Sequence, residues 1–152
     1  MSTVISPEQF AVYCGTFGQR LETNLMRAEQ ESIEEAEQEA RQLSSGPFSS
    51  EQLRKMRHPY ARRAPHPPGD NPGIINKQSG EFLEGWEIEE PRTTGDGTIV
   101  SRVFNNSPNA DRLANGTKRM IRRPLPRRLR ERIAATRNRR IQDAIRKTIQ
   151  QF

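Results

Sequence analysis

Apolar positions recur at helical spacing near both ends of the chain. Close to the start, Phe10, Cys14, Phe17, Leu21 and Leu25 follow one another at steps of four and three. That period places them on one stripe of a helix. Ser6 is a good N-cap, Pro7 suits the first helical position, and Gln9 completes a capping-box pattern. Ser44-Ser45-Gly46-Pro47 stops the run, so the pattern predicts one long helix over 7–43. Ala28, Ser32, Ala36 and Leu43 continue the stripe weakly. Otherwise the second half is mostly Glu, Gln and Ala, with Ile33 its only large aliphatic residue before Leu43. It is expected to be solvated on most of its circumference. Gly15 and Gly18 each cost about 1 kcal/mol relative to Ala in a helix, and they also permit close packing.

Ser49 or Ser50 caps a short second helix through Met56. Residues 57–73 are rich in proline, which lacks the donor that a helix or central strand needs. They read as a long irregular arm, the kind of loop that is functional or disordered. Residues 82–90 alternate weakly, with Phe82, Trp86 and Ile88 on one face and Leu83 opposite. Residues 98–104 are β-branched and aromatic, and Pro91 to Gly97 joins the two runs with two glycines. This predicts a hairpin. Asn105-Asn106-Ser107-Pro108 ends its second strand, and 109–115 forms a helical turn stopped by Asn115-Gly116. A last helix over 126–152 starts at Pro126, with Leu129, Ile133, Ile141, Ile145, Ile149 and Phe152 on its apolar stripe.

The expected fold class is therefore α+β in a single domain, 1–152. It comprises a long N-terminal helix, a small antiparallel sheet with a hairpin, a C-terminal helix and a long proline-rich loop. Residues 74–125 hold the hairpin and connector. The two long helices are expected to pack on the sheet around Trp86.

Composition narrows the function. Leu, Ile, Val and Phe number 29, about 19% of 152 residues. Chains this poor in large apolar residues border on those that do not fold alone. Either much of the chain is extended, or it completes its core against copies of itself or a partner. No apolar stretch approaches the roughly 20 residues needed to span a bilayer. Met1 to Ser6 lacks the basic and apolar regions of a secretory signal. Cys14 is the one cysteine, which excludes an internal disulfide or a cysteine-based zinc site. His58 and His66 lack ligand spacing. The expectation is a non-enzymatic protein made in the cytoplasm, with no cofactor, metal, membrane or small-molecule substrate.

Charge is unevenly spread. Residues 1–45 carry 8 acidic and 3 basic residues, whereas 111–152 carry 3 acidic and 14 basic. The cluster Glu34-Glu35, Glu37 and Glu39 reads as a solvated or partner-facing helix surface. Cys14 reads as a small buried hydrophobe rather than a nucleophile. Gly95-Asp96-Gly97 is a turn signal, since no helix with a Lys follows it. Arg122, Arg123, Arg127 and Arg128 open a dense basic segment that suits either nucleic-acid phosphates or an acidic protein surface. Few aromatics interleave with it, so base stacking is unsupported. The chain also carries its own acidic helix. In an oligomer, one subunit's acidic surface would meet the next one's basic surface, and closure of such contacts makes a ring.

From Ile75 onward, a series of short motifs resembles the neck proteins of tailed bacteriophages, the head–tail connector, tail-completion or minor tail proteins. They are Ser79-Gly80, Leu83-Glu84-Gly85-Trp86, Val103-Phe104-Asn105-Asn106, Ala110 with Leu113-Ala114-Asn115-Gly116-Thr117, and Arg123-Pro124. Their order fits that family over about half the chain. Ala114 stands where the family has glutamate, and the arm 57–73 replaces a short stretch. The resemblance implies a small α+β subunit without catalysis, forming a six- or twelve-fold ring in the virion neck. Its implied partners are copies of itself, portal, adaptor and tail proteins, with non-specific contact to DNA in the channel. Tyr60, Arg62, Arg63 and Pro67 on the arm and the turn Asn115-Gly116-Thr117 are then candidate subunit contacts. Arg122, Arg123, Arg127 and Arg128 are candidate contacts to DNA or an acidic partner. The alternative reading is a small basic nucleic-acid-binding protein; an adaptor for a regulatory protein is a third.

Overall fold

In the computed structural model, which describes residues 5–46, 75, 80–117 and 122–152, helix α1 spans Pro7–Leu43. Its bounds are those the sequence predicts. The capping box forms at its start: the Gln9 N–H donates to Ser6 Oγ, and the Ser6 N–H donates to Gln9 Oε1 at 2.9 Å. At 37 residues it is about 55 Å long, the longest element of the chain. The expected helix near 49–56 and the arm 57–73 lie outside the described residues.

The chain then forms α2 (Glu81–Glu84), β1 (Trp86–Thr93), β2 (Ile99–Asn105), α3 (Ala110–Asn115) and α4 (Leu125–Gln150). β1 and β2 form a two-stranded antiparallel sheet, pairing Trp86 with Asn105 and Thr93 with Ile99. The hairpin is as expected, but its boundaries shift. Residues 81–84 are a helical turn rather than strand, entered through Gly80 at φ 91°. Pro91 lies inside β1 rather than in the turn. The register slips between Glu89 and Arg92, and this bulge accommodates a residue with no N–H to donate. The turn itself is Thr94 to Thr98. Asp96 accepts from the Thr94 hydroxyl and the Thr98 N–H, and those bonds hold its carboxyl below the usual range.

α1 is the surface on which everything else packs. Its C-terminal end meets Trp86, Ile75 and Leu125, and these join Ala40 and Leu43 in the buried core. Phe82, Val103, Leu113 and Leu129 pack around that cluster. The Trp86 indole N–H donates to Ser44 Oγ at 2.8 Å, and Phe82 packs edge-on against its ring at 5.6 Å. Arg41 ties the start of the sheet to α1, donating to the carbonyls of Leu83 and Trp86 at 3.0 Å each. Ile75 bonds back to the helix end through Leu43 O and the Gly46 N–H.

α4 lies antiparallel along α1. Arg132 near its start meets Glu39, and Thr148 near its end meets Asn24. The expected stripe on α1 is covered from Phe17 onward, with Phe17, Leu21 and Leu25 half-buried and Ala28, Ser32, Ala36 and Leu43 buried, while its first members are not. Ala40 joins the buried run, so the weak alanine-rich continuation of the stripe carries the main packing face. Phe10 and Cys14 are exposed. The reason is reach: α4 ends with Phe152 beside Tyr13 and Phe17, and the hairpin stops at Glu22 and Met26. On α4, Ala144 and Thr148 are buried while Ile145 and Ile149 are exposed. Small side chains fill the seam around Ala144 and Thr148, while Leu43 and Leu125 are buried where the helices meet the Trp86 cluster.

The motif glycine in Gly85-Trp86 has a packing reason. A Cβ there would sit 3.0 Å from Asn105 Oδ1 and 3.1 Å from both Glu81 O and the Ser107 N. Asn105 in turn bonds Phe82 O and the Ser107 N–H, closing the corner. Gly85→Ala is therefore expected to cost about 1–3 kcal/mol by overpacking. Gly95→Ala, with open space around it, is expected to change stability by less than about 0.5 kcal/mol. Urea unfolding followed by fluorescence of Trp86, the sole tryptophan, measures both.

Candidate functional site

The acidic and basic ends of the chain meet within one molecule. Arg132 Nη1 donates to Glu39 Oε2 at 2.6 Å, and Arg137 Nε donates to Glu29 Oε2 at 3.0 Å. Arg140 lies 3.5 Å from Glu31 and bonds Glu35 through Nη1. Glu31, Glu35 and Glu39 recur every four residues, which sets them on one lane of α1. Arg132 and Arg140 stand about two turns apart on α4. Half-exposed pairs of this kind contribute about 0–1 kcal/mol each, so the ladder favours direction more than stability. Glu29 differs, being buried: its other oxygen accepts from Ser101 Oγ at 2.7 Å. One carboxylate thus joins α1, β2 and α4.

The sequence raised this pairing only as contact between an acidic and a basic surface, without the residues. Glutamates at steps of four opposite arginines at a step of eight were the available signal. Arg132, Arg137 and Arg140 are thus each paired with a glutamate of α1.

The predicted contact residues scatter. Tyr60, Arg62, Arg63 and Pro67 lie outside the described residues. Asn115, Gly116 and Thr117 close α3: Gly116 takes φ 72° and donates its N–H to Arg112 O at 2.9 Å. A glycine is favoured at that positive φ, so the turn has a local structural reason. Arg123 is only 5% exposed. Its N–H donates to Leu113 O, which draws it under α3 and away from any open DNA-facing surface. Arg122 and Arg127 are exposed and Arg128 is half-buried. Arg127 donates to Glu131 at 2.7 Å, and that carboxylate raises its already high pKa further. Arg139, Arg146 and Lys147 are also exposed on α4.

Two apolar features went unread in the sequence. The first is exposed apolar surface. Ile5, Phe10, Val12 and Tyr13 near the start of α1 and Ile145, Ile149 and Phe152 near the end of α4 are the exposed large hydrophobics among the described residues. Phe152 packs against Tyr13 at this end of the helix pair, with Ile145 nearer the middle of α1. Val12 is 70% exposed, Ile149 59% and Phe10 56%. The second is an open cavity of about 290 Å³ between α1, the sheet and α4. Ile33, Ala36, Trp86, Val103, Leu129 and Ile133 form its apolar wall. Arg102, Arg130 and Arg137 stand around it.

Among the described residues, no cluster of three or more His, Cys, Asp or Glu side chains could hold a metal, and no helix is long and apolar enough to cross a membrane. Compared with known proteins, the chain matches no family model, no curated protein and no solved structure.

Arg140→Glu sets a third carboxylate between Glu31 and Glu35 and is expected to lower stability by about 1–2 kcal/mol at low salt. Adding Glu35→Arg is expected to recover about half or more of that loss through coupling of neighbouring sites. A double-mutant cycle by thermal unfolding at low and high salt checks the value and its screening.

Proposed function

We propose that the chain is a structural subunit of a bacteriophage virion neck, forming a ring that completes the tail end or joins tail to head around the DNA channel. The observation that carries this reading is the number of large apolar side chains left exposed on a chain with few to spare, Ile5, Phe10, Val12 and Tyr13 on the N-terminal stretch and Ile145, Ile149 and Phe152 on the C-terminal one. Exposed apolar surface of this extent suits a chain that is covered in an assembly. Among the described residues the core is small, and no further strand pairs with either edge of the two-stranded sheet. The motifs that resemble the neck family also have structural sense here. Gly85-Trp86 and Asn105 meet at one corner, and Leu113 packs on the same core.

The second reading, a small basic nucleic-acid binder, draws on the exposed cations Arg122, Arg127, Arg139, Arg146 and Lys147. In a ring these same groups would suit the phosphates of passing DNA, so the two readings differ in what holds the protein in place. Light scattering after size exclusion, on nucleic-acid-free protein at about 150 mM salt, is expected to show one species of six or twelve chain masses, alone or once portal and tail proteins are added. A monomer that ignores those proteins but binds DNA, with affinity falling by orders of magnitude between about 50 and 200 mM salt, overturns the ring reading.

A further inference from the structure

Four arginines of α4 share one lane. Arg128, Arg132, Ala135, Arg139, Gln142 and Arg146 follow one another at steps of four and three, the spacing of a single helical stripe. The stripe runs along the outer side of α4. Arg139 and Arg146 each lie two residues, about 200° round the helix, past a residue that faces inward. Those inward residues are Arg137, which bonds Glu29, and Ala144, which is buried. All six stripe residues are exposed except Arg128, which is half-buried. The stripe itself holds no carboxylate. Arg132 uses Nη1 on Glu39, and Arg146 meets Asp143 at the edge of the stripe at 3.3 Å. Among the described residues Arg139, at the middle, meets no carboxylate. The neighbouring cations stand elsewhere: Arg127 is bonded to Glu131, and Lys147 lines a groove with Arg27 and Glu31.

A straight row of arginines fits a polyanion. Arg132, Arg139 and Arg146 stand about 10.5 Å apart along the axis, and the row from Arg128 is about 27 Å long. That is the length of about eight base pairs, since each strand of a duplex presents a phosphate every 3.4 Å or so. The guanidinium fork matches phosphate oxygens, and a glutamine such as Gln142 is a common further donor to them. Two features favour a duplex backbone over other anionic partners. A protein interface is apolar and aromatic at its centre, whereas the stripe offers only Ala135. A single strand is held by stacking its bases on aromatic side chains, and the stripe has none. We propose that this stripe is the surface through which the chain meets the phosphate backbone of duplex DNA, without reading its sequence. That DNA reaches the chain rests on the reading above; the stripe adds which surface faces the duplex in the channel. Of Arg122, Arg123, Arg127 and Arg128, only Arg128 belongs to it.

The test uses the full chain and DNA duplexes of about 20 base pairs in two unrelated sequences, with affinity read by fluorescence anisotropy between about 50 and 200 mM salt. Arg139→Gln with Arg146→Gln removes two charges from the stripe and keeps good helix formers at exposed positions. Arg92→Gln with Arg102→Gln removes the same charge from exposed positions of the hairpin. Circular dichroism verifies that each variant folds. The stripe variant is expected to bind both sequences at least about tenfold more weakly at low salt, and to flatten the slope of log affinity against log salt by about two. The hairpin variant is expected to change that slope by less than about one. Equal losses in both variants overturn the inference, because binding then follows net charge alone. A wild type that does not bind the duplex at low salt, or binds one sequence or a single strand much more tightly, overturns it as well. Binding of polyglutamate as tight as that of the duplex overturns it in favour of an acidic protein partner. Light scattering on the same samples keeps the two readings apart. A chain that binds through the stripe but never assembles upholds the inference and overturns the ring; a ring that ignores the duplex overturns the inference alone.

Discussion

The antiparallel packing of α4 on α1 is the constraint from which the rest of the structure follows. A chain with so few large apolar residues cannot rely on a deep core. It uses one long helix as a common support. The C-terminal half of α1 takes α4 along one flank and the hairpin along another, and the Trp86 cluster seals the end where all three meet. Glu29 bonds both neighbours at once. The seam works because its residues are small: alanine, serine and threonine let the backbones approach, while arginines and glutamates reach across the flanks. Exposed ion pairs contribute little net energy, but their order along the helices favours the antiparallel direction. Direction, rather than strength, is what the charges supply.

Local signals in the sequence were legible because they are short-range. Ser6, Pro7 and Gln9 mark the start of α1, and Ser44 its end. Asn115-Gly116 stops α3, and Pro126 opens the last helix. These are cap and turn chemistries that act within four residues. The buried face of α1 was legible, but not how far along it the covering extends. Phe10 and Cys14 are the more hydrophobic part of the stripe, yet they are exposed and its alanine-rich continuation from Ala28 to Ala40 is buried. The extent of the covering depends on where α4 ends and how far the hairpin reaches, and both are tertiary facts. Pro91 misled for a related reason. A proline reads locally as a strand breaker, but a bulge lets the strand continue past it. Arg123 was grouped with its basic neighbours, and only the return of the chain beneath α3 buries it.

Internal pairing changes the meaning of the charge asymmetry. An acidic start and a basic end read as an invitation to an outside partner. Much of that complementarity is used inside the chain, and the cations still exposed on α4 are a reduced set. The unmet demand of the molecule is apolar as well: large side chains exposed on the terminal stretches and an open cavity between α1, the sheet and α4. This is the distribution expected of a part that finishes its packing in an assembly.

Hydrogen exchange on the full chain, dilute and concentrated, tests this account most directly. The account predicts slow exchange over Ala28–Leu43 and Arg132–Thr148 at both concentrations, because the helix pair belongs to the single chain. It predicts fast exchange over Pro7–Gly18 in the dilute chain, slowing sharply on assembly as that end is covered. Protection of Pro7–Gly18 that is high and unchanged by concentration, or slow exchange of the helix pair only after assembly, would contradict it.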